Sequence, residues 1–525
     1  MKIKKRTVTA IILGVLFAAL VAVYFIFVNP LLGENDDGRV ELDLLDGEVL
    51  ITDRLTNFYI FQPIPRSEIR TIEVENEHGT FSVKQDKKSA SGFSLEGITA
   101  LPLDDNKLAS LVVTTGTPVA MMRAAENLGD DREKLAEFGL DEPQAQWTLT
   151  KTNGDKITMY VGDGLITEGG YYVKLADRDA VYIMSLTLAD TILEPGYNLL
   201  SPKIIDGLTE NNYYLLDSFV LVKGDDVFVA VERMTETEIL QNQMLVLRMA
   251  YPHPENNTSS NTYALNEDLY FDVMYSFVNQ VGDRVVALRP TEEDLAQYGL
   301  DEPYYTIVLT SGGVEMDIFV SARQENGKYY AVSSMYGYMM ICEMPAESLA
   351  WLEYDFFKWI EEMPFYVDIK TVSRLSVKGG EVDVDFTLKH STDENGNAVL
   401  EVKEENSGKK FAGDDVANFR KYYMTLMNIT NQEYATLSEE DKAALTENDD
   451  NLVMTMTYEN TAGQIYEYKF YRYFEASTGH VSGGKYFTTV NGVGEFYTSN
   501  DLVEKALSDA DRVMDGLDID SYGHR

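Results

Sequence analysis

The chain has 525 residues, 45% of them hydrophobic and 11% aromatic. That is enough apolar material for packed cores in roughly three domains of ordinary size. It carries 86 Asp+Glu against 44 Lys+Arg, a formal net charge of −42, which argues against broad affinity for nucleic-acid phosphates or anionic membrane surfaces. The single cysteine, Cys342, excludes an intramolecular disulfide and a cysteine-based metal cluster.

Residues 1–6 form a basic tail with Lys2, Lys4, Lys5 and Arg6. Thr7 to Val28 is uncharged over 22 residues, about 33 Å as a helix against a hydrocarbon core of about 30 Å. This predicts an uncleaved transmembrane signal anchor at 7–28, with the N-terminus cytoplasmic and the rest extracytoplasmic. A cleaved signal is the alternative. Residues 29–57, with Glu34-Asn35-Asp36-Asp37-Gly38, read as an acidic stalk.

Downstream, one template is used three times, over 58–205, 206–365 and 366–525. Each copy opens with a hairpin. Ile72-Glu73-Val74 and Phe81-Ser82-Val83 flank His78-Gly79; Val220-Leu221-Val222 and Val227-Phe228-Val229 flank Lys223-Gly224-Asp225-Asp226; Leu375-Ser376-Val377 and Val382-Asp383-Val384 flank Lys378-Gly379-Gly380-Glu381. Alternating β-branched residues around glycine turns are hairpin signals. An amphipathic helix follows, at Leu103–Val113, Leu265–Val278 and Asp414–Met427. Arg233 to Thr262, with Pro252-His253-Pro254-Glu255-Asn256-Asn257, reads as a long polar loop in the second copy.

A nine-residue motif comes next. Leu135-Ala136-Glu137-Phe138-Gly139-Leu140-Asp141-Glu142-Pro143 returns as Leu295-Ala296-Gln297-Tyr298-Gly299-Leu300-Asp301-Glu302-Pro303. Asp130 with Glu133, Thr291 with Asp294, and Ser438 with Asp441 are spaced to cap the preceding helix. The glycine stops the helix in the left-handed region, the leucine packs back on the last turn, and the proline starts a strand. The third copy has Leu445-Thr446-Glu447-Asn448-Asp449-Asp450 in its place. Four strands complete each copy: from Trp147, Ile157, Tyr171 and Val181; from Tyr305, Met316, Tyr329 and Met339; and from Leu452, Ile465, Tyr486 and Glu495. A closing helix is expected at Thr187–Leu193, Ala346–Ile360 and Asn500–Met514. The fold class is therefore α+β: a transmembrane helix, then three tandem repeats of an antiparallel sheet with packed helices.

The motif followed by an apolar strand, a Gly turn and a Tyr-Tyr strand resembles the DUF4340 family of bacterial envelope proteins. The resemblance spans 58–365 and is weaker in the third copy. Some members are similar to gliding-motility auxiliary proteins encoded beside an ABC-2 exporter. The resemblance implies a membrane-anchored accessory or scaffold protein, with permease or ATPase subunits of an ABC exporter as partners, and it supplies no catalytic residues.

The residues themselves offer little chemistry. The histidines, His78, His253, His390, His480 and His524, show no metal-ligand spacing. Asp393-Glu394-Asn395-Gly396-Asn397 departs from a calcium loop and reads as a hairpin turn. Asp141-Glu142 and Asp301-Glu302 lack converging ligands. The expectation is no enzyme, no cofactor and no metal site, with Cys342 a buried hydrophobe. Two alternatives remain: a glycan- or polymer-binding protein using Tyr171, Tyr172, Tyr329 and Tyr330, and a cell-wall hydrolase with paired carboxylates.

Overall fold

The computed structural model describes residues 43–520 apart from 52–56, 130, 168, 243, 252–263, 436 and 475–480. The expected transmembrane helix at 7–28 lies outside the described residues, as do the basic tail and most of the stalk. Among the described residues, no helix is long and apolar enough to cross a membrane.

The fold is mixed α/β with three antiparallel sheets of ten, eight and nine strands. All three share one strand order. In the first it runs Val119–Glu126, Ala180–Met184, Tyr171–Leu175, Lys156–Gly164, Ala145–Lys151, Ile69–Asn76, Gly79–Gln85, Phe93–Leu95. In the second it runs Arg284–Leu288, Met340–Met344, Tyr329–Ser333, Val314–Val320, Tyr305–Ser311, Ser218–Lys223, Asp226–Arg233, Leu247–Tyr251. In the third it runs Asn431–Tyr434, Val493–Ser499, Val481–Val490, Ile465–Phe474, Leu452–Asn460, Val372–Gly379, Val382–Thr392, Ala398–Glu404. The first sheet adds Val49–Leu50 and Phe58–Tyr59 beside Val119–Glu126, and the third adds Lys410–Phe411. The third copy therefore keeps the whole topology although it has lost the motif.

The opening hairpins form in the expected places, with Val74 opposite Phe81, Val222 opposite Val227 and Val377 opposite Val384. The following helices are Asp105–Gly116, Glu267–Ser276 and Asp414–Met427. Asp104 caps the first by accepting from Asn106 and Lys107 N–H, and Asn266 caps the second by accepting from Leu269 N–H. Each satisfies donors that a helix start leaves open. The third buries Phe419, Tyr422, Tyr423 and Leu426 in one core with Phe386, Tyr458 and Tyr468.

Several expectations need correction. The closing element is a full α-helix only in the third copy, Asn500–Asp515. In the first it is a single 3-10 turn, Leu186–Leu188, followed by turns and a second 3-10 turn, Gly196–Leu199, after Pro195. In the second, 3-10 structure over Ala346–Glu353 is kinked at Leu349 and followed by the short helix Phe356–Trp359. The polar loop expected over 233–262 contains the helix Glu236–Asn242 and the edge strand Leu247–Tyr251; Pro252 to Ser260 lie outside the described residues. Within the segment expected to be a stalk, Val49–Leu50 is a strand of the first sheet, and Glu48 just before it is buried.

The chain divides into two compact units at Leu199/Leu200. The second unit holds two sheets, joined by aromatic side chains. Phe357 lies 5.9 Å from both Tyr434 and Phe496, Phe356 lies 6.4 Å from Tyr434, and Tyr434 lies 5.2 Å from Phe496. Asn431 N–H also donates to the Glu362 carbonyl at 2.7 Å. Replacing Phe357 by alanine deletes the ring that touches both Tyr434 and Phe496. The Phe357→Ala variant is expected to lose about 2 kcal/mol. Hydrogen exchange should rise first at 431–434 and 496–499, the third-repeat side of the joint.

Candidate functional site

The recurring motif resolves into structure residue by residue. Gly139 and Gly299 have φ of 65° and 66°. Leu140 N–H donates to the Leu135 carbonyl at 3.0 Å and Gly139 N–H to that of Ala136 at 3.2 Å; the second copy repeats this with Leu300 to Leu295 at 2.8 Å and Gly299 to Ala296 at 3.2 Å. This pair of bonds is a Schellman stop. Thr291 and Asp294 form the expected reciprocal capping box, and Ser438 accepts from Asp441 N–H. In the first copy the cap is Asp131, one residue later than expected, accepting from Glu133 N–H; Asp130 is outside the described residues.

The short helix thus stopped covers the sheet face opposite the long helix. Leu300 is buried with Ala287, Tyr330, Val332 and Ile341, and Leu295 and Tyr298 pack against that cluster. Tyr298 lies 4.7 Å from Tyr330, and Phe138 lies 5.0 Å from Tyr172. The variable aromatic of the motif therefore rests on the second tyrosine of each Tyr-Tyr pair. The first tyrosine of the second copy turns the other way, and Tyr329 Oη donates to Glu353 at 2.8 Å. The third copy does the same with Tyr486 and Phe487. Tyr486 Oη donates to Glu504 at 2.8 Å, and Phe487 joins Leu445, Tyr471 and Tyr497 on the second face. Burial, reinforced by Glu504, pushes the Tyr486 hydroxyl up to about 12.

Tyr329 and Tyr330 are only 1% and 8% exposed, so they cannot serve as a stacking platform for a polymer. Tyr171 and Tyr172 are half-buried. Glu142, Asp301 and Glu302 are exposed, and Asp141 is half-buried. Among the described residues no group of three or more His, Cys, Asp and Glu is placed to hold a metal ion. Asp393 accepts from Asn395 and Asn397 N–H, both at 2.8 Å, which closes a hairpin turn. Asp385 faces Arg374 in a two-pronged ion pair, and Asp383 lies 3.2 Å from Lys378. His390 meets the Val372 carbonyl at 2.9 Å, and His78 lies 3.5 Å from Glu77; His253, His480 and His524 are outside the described residues. Cys342 is buried, and burial pushes its thiol up to about 12.

Sequence reasoning missed one polar centre. Glu48, with its side chain fully buried, pairs with Arg123, which also reaches Glu126 and the Asp43 carbonyl. Tyr182 Oη donates to Glu48 at 2.8 Å, Leu45 N–H donates to it at 2.9 Å, and Arg178 binds the Asp46 carbonyl at 2.9 Å and the Ile60 carbonyl. The network fastens residues 43–48 to the strands Val119–Glu126 and Ala180–Met184. Its only local signal is a lone arginine, Arg123, among Ala120, Met121, Met122, Ala124 and Ala125.

The chain carries a DUF4340 domain: the model of that family, described as a domain of unknown function, matches residues 94–208. The match covers the first copy from its strand Phe93–Leu95 onward and stops short of the wider span, 58–365, over which the motif suggests the resemblance. No curated protein and no solved structure matches the chain.

Two substitutions separate these roles. A Cβ on Gly139 would come within 2.7 Å of Asp163 N, whereas on Gly299 the nearest atom is the Gln324 side-chain Nε2 at 3.2 Å, the end of a long side chain that can shift. In thermal or denaturant unfolding, Gly139→Ala is expected to cost about 2 kcal/mol and Gly299→Ala about 1. Arg123→Met leaves Glu48 buried without its cation and should cost about 3 kcal/mol, with early loss of amide protection at 44–50.

Proposed function

We propose that the protein is a single-pass, membrane-anchored extracytoplasmic accessory or scaffold protein without enzymatic activity, auxiliary to an ABC-type exporter or another envelope assembly. The reading starts from the chain's first 28 residues. A basic cluster followed by 22 uncharged residues suits a helix held in a bilayer with its N-terminus in the cytoplasm.

The observation that carries the proposal is the use of the recurring residues. A residue pattern repeated for catalysis would leave polar groups converging in a cleft. Here the glycine, leucine and aromatic of the motif are spent on stopping a helix and covering a sheet. What the repeats leave for recognition is their edges, inserts and acidic exterior. The aromatic joint between the second and third sheets favours these two repeats acting as one unit rather than as independent modules, which suits a scaffold.

The test is purification of the full-length chain from its native membranes in mild detergent. Co-purification of a permease or ATPase subunit is expected. Recovery of the protein alone, with the detergent shown to preserve other envelope complexes, would overturn the reading.

A further inference from the structure

We infer that the second repeat carries a binding site for a small aliphatic molecule without negative charge, in a hollow built by the insert 206–216. The inference is independent of membrane anchoring and of any exporter partner.

Comparison of the three copies locates the insert. The first and third pass into their first strand through a single 3-10 turn, Arg66–Glu68 before Ile69 and Ile369–Thr371 before Val372. The second adds a loop from Asp206 that ends in the 3-10 turn Tyr213–Leu215 before Ser218. This loop is held by its own hydrogen bonds. Thr209 N–H donates to Asn212 Oδ1 at 2.6 Å, Asn212 Nδ2 donates to the Gly207 carbonyl at 2.8 Å, and Arg233 binds the Tyr214 carbonyl. Asp206 N–H points to Met335 Sδ at 2.9 Å, tying the loop to the turn that follows Tyr329–Ser333.

Between this loop and the hairpin Tyr305–Val320 lies a hollow of about 440 Å³, within the usual range of roughly 300–1,000 Å³ for ligand pockets. Leu208, Leu215, Leu309, Val314, Met316 and Met335 line it. Three of these are unusually open for aliphatic side chains: Val314 is 71% exposed, Leu215 52% and Met335 41%. The matching hairpin end of the first repeat, Lys151-Thr152-Asn153-Gly154-Asp155-Lys156, is polar throughout. Leu309 and Met316 pair as Leu149 and Ile157 do in the first repeat, so what the second repeat adds is Val314 at the turn and Leu208 and Leu215 from the insert. Unbranched methionines can also adjust to the shape of a guest.

The charge of the guest follows from what surrounds the hollow. Among the described residues, no Lys or Arg lines it. Asp206 and Glu315 do, the Asp206 carboxylate 4.0 Å from Lys203 at an exposed position. The whole chain carries −42, so an anionic amphiphile would be repelled where an alcohol or an aliphatic ammonium would not.

The chain's lone buried cysteine makes a direct test simple, since Cys342 does not compete for alkylation. Leu215→Cys is prepared in the full-length chain in lipid nanodiscs, with Ile465→Cys, at a 65% exposed position of the third repeat, as the control. Maleimide alkylation is timed with hexanol, hexylammonium or hexanoate present. At a concentration about ten times Kd, hexanol and hexylammonium are expected to slow reaction at Leu215→Cys roughly tenfold. Ile465→Cys should be unaffected, and hexanoate should protect neither. Val314→Cys repeats the measurement should Leu215→Cys fail to fold. Equal slowing in the lining variant and the control, no slowing at either lining position, or protection by hexanoate equal to that by hexanol would each overturn the inference.

Discussion

An antiparallel sheet whose inner strands are apolar on both faces has to be covered twice. The strands Ala180–Met184, Tyr329–Ser333 and Met340–Met344 are buried along their whole lengths, so one amphipathic helix per repeat is not enough. The long helix covers one face, and the short helix before the motif covers the other. A helix lying across a few strands has room for only one or two turns, and it must then reverse direction into the next strand. The glycine, leucine and proline of the motif meet those three demands in order: stop, latch and restart. The third repeat meets them differently. Its helix Glu439–Thr446 ends at Glu447, and Asn448 caps a separate 3-10 turn, Asp449–Asn451, before the strand Leu452–Asn460. Leu445 still reaches the second face. The constraint outlasts the residues that satisfy it elsewhere.

This explains why parts of the fold were legible in the sequence and others were not. Hairpins, caps and the four-strand runs are local, so their periodicity and turn residues suffice. Strand order is not local. Nothing in Val119–Glu126, Arg284–Leu288 or Asn431–Tyr434 announces that each will lie beside the last strand of its repeat. Edge strands such as Phe93–Leu95 are too short to show a period. The closing helices misled because apolar spacing at Ala346–Ile360 does not reveal the breaks around Leu349 and Tyr354. The tyrosine pairs were ambiguous for a related reason. Adjacent aromatics in a strand fit either an exposed face or two cores, and in the second copy both Tyr329 and Tyr330 are buried. Glu48 and Arg123 are 75 positions apart in sequence, and the acidity around Glu48 resembles that of a solvated linker until its partner is seen.

Sequence repetition and functional specialisation are separated in this chain. What repeats is the frame, and the differences between copies lie in the segments outside it. The first copy has two extra short strands on one edge, the second a longer lead into its first strand, and the third an extra strand beside Ala398–Glu404. One frame used three times therefore presents three different outer surfaces, without any change to the packing that each copy must preserve.

The ion pair of Glu48 and Arg123 has a mechanical meaning as well. The ladder between Val49–Leu50 and Phe58–Tyr59 is two residues long, and under tension such a ladder would peel one bond at a time. Any pull arriving from upstream of residue 43 meets the hold of Arg123 on the Asp43 carbonyl and of Arg178 on the Asp46 carbonyl, and then the buried carboxylate of Glu48. The force is then shared by the strands Val119–Glu126 and Ala180–Met184, on which Arg123 and Tyr182 sit. The contact works as a cable grip, which stops tension on the leading segment from unravelling the edge of the sheet.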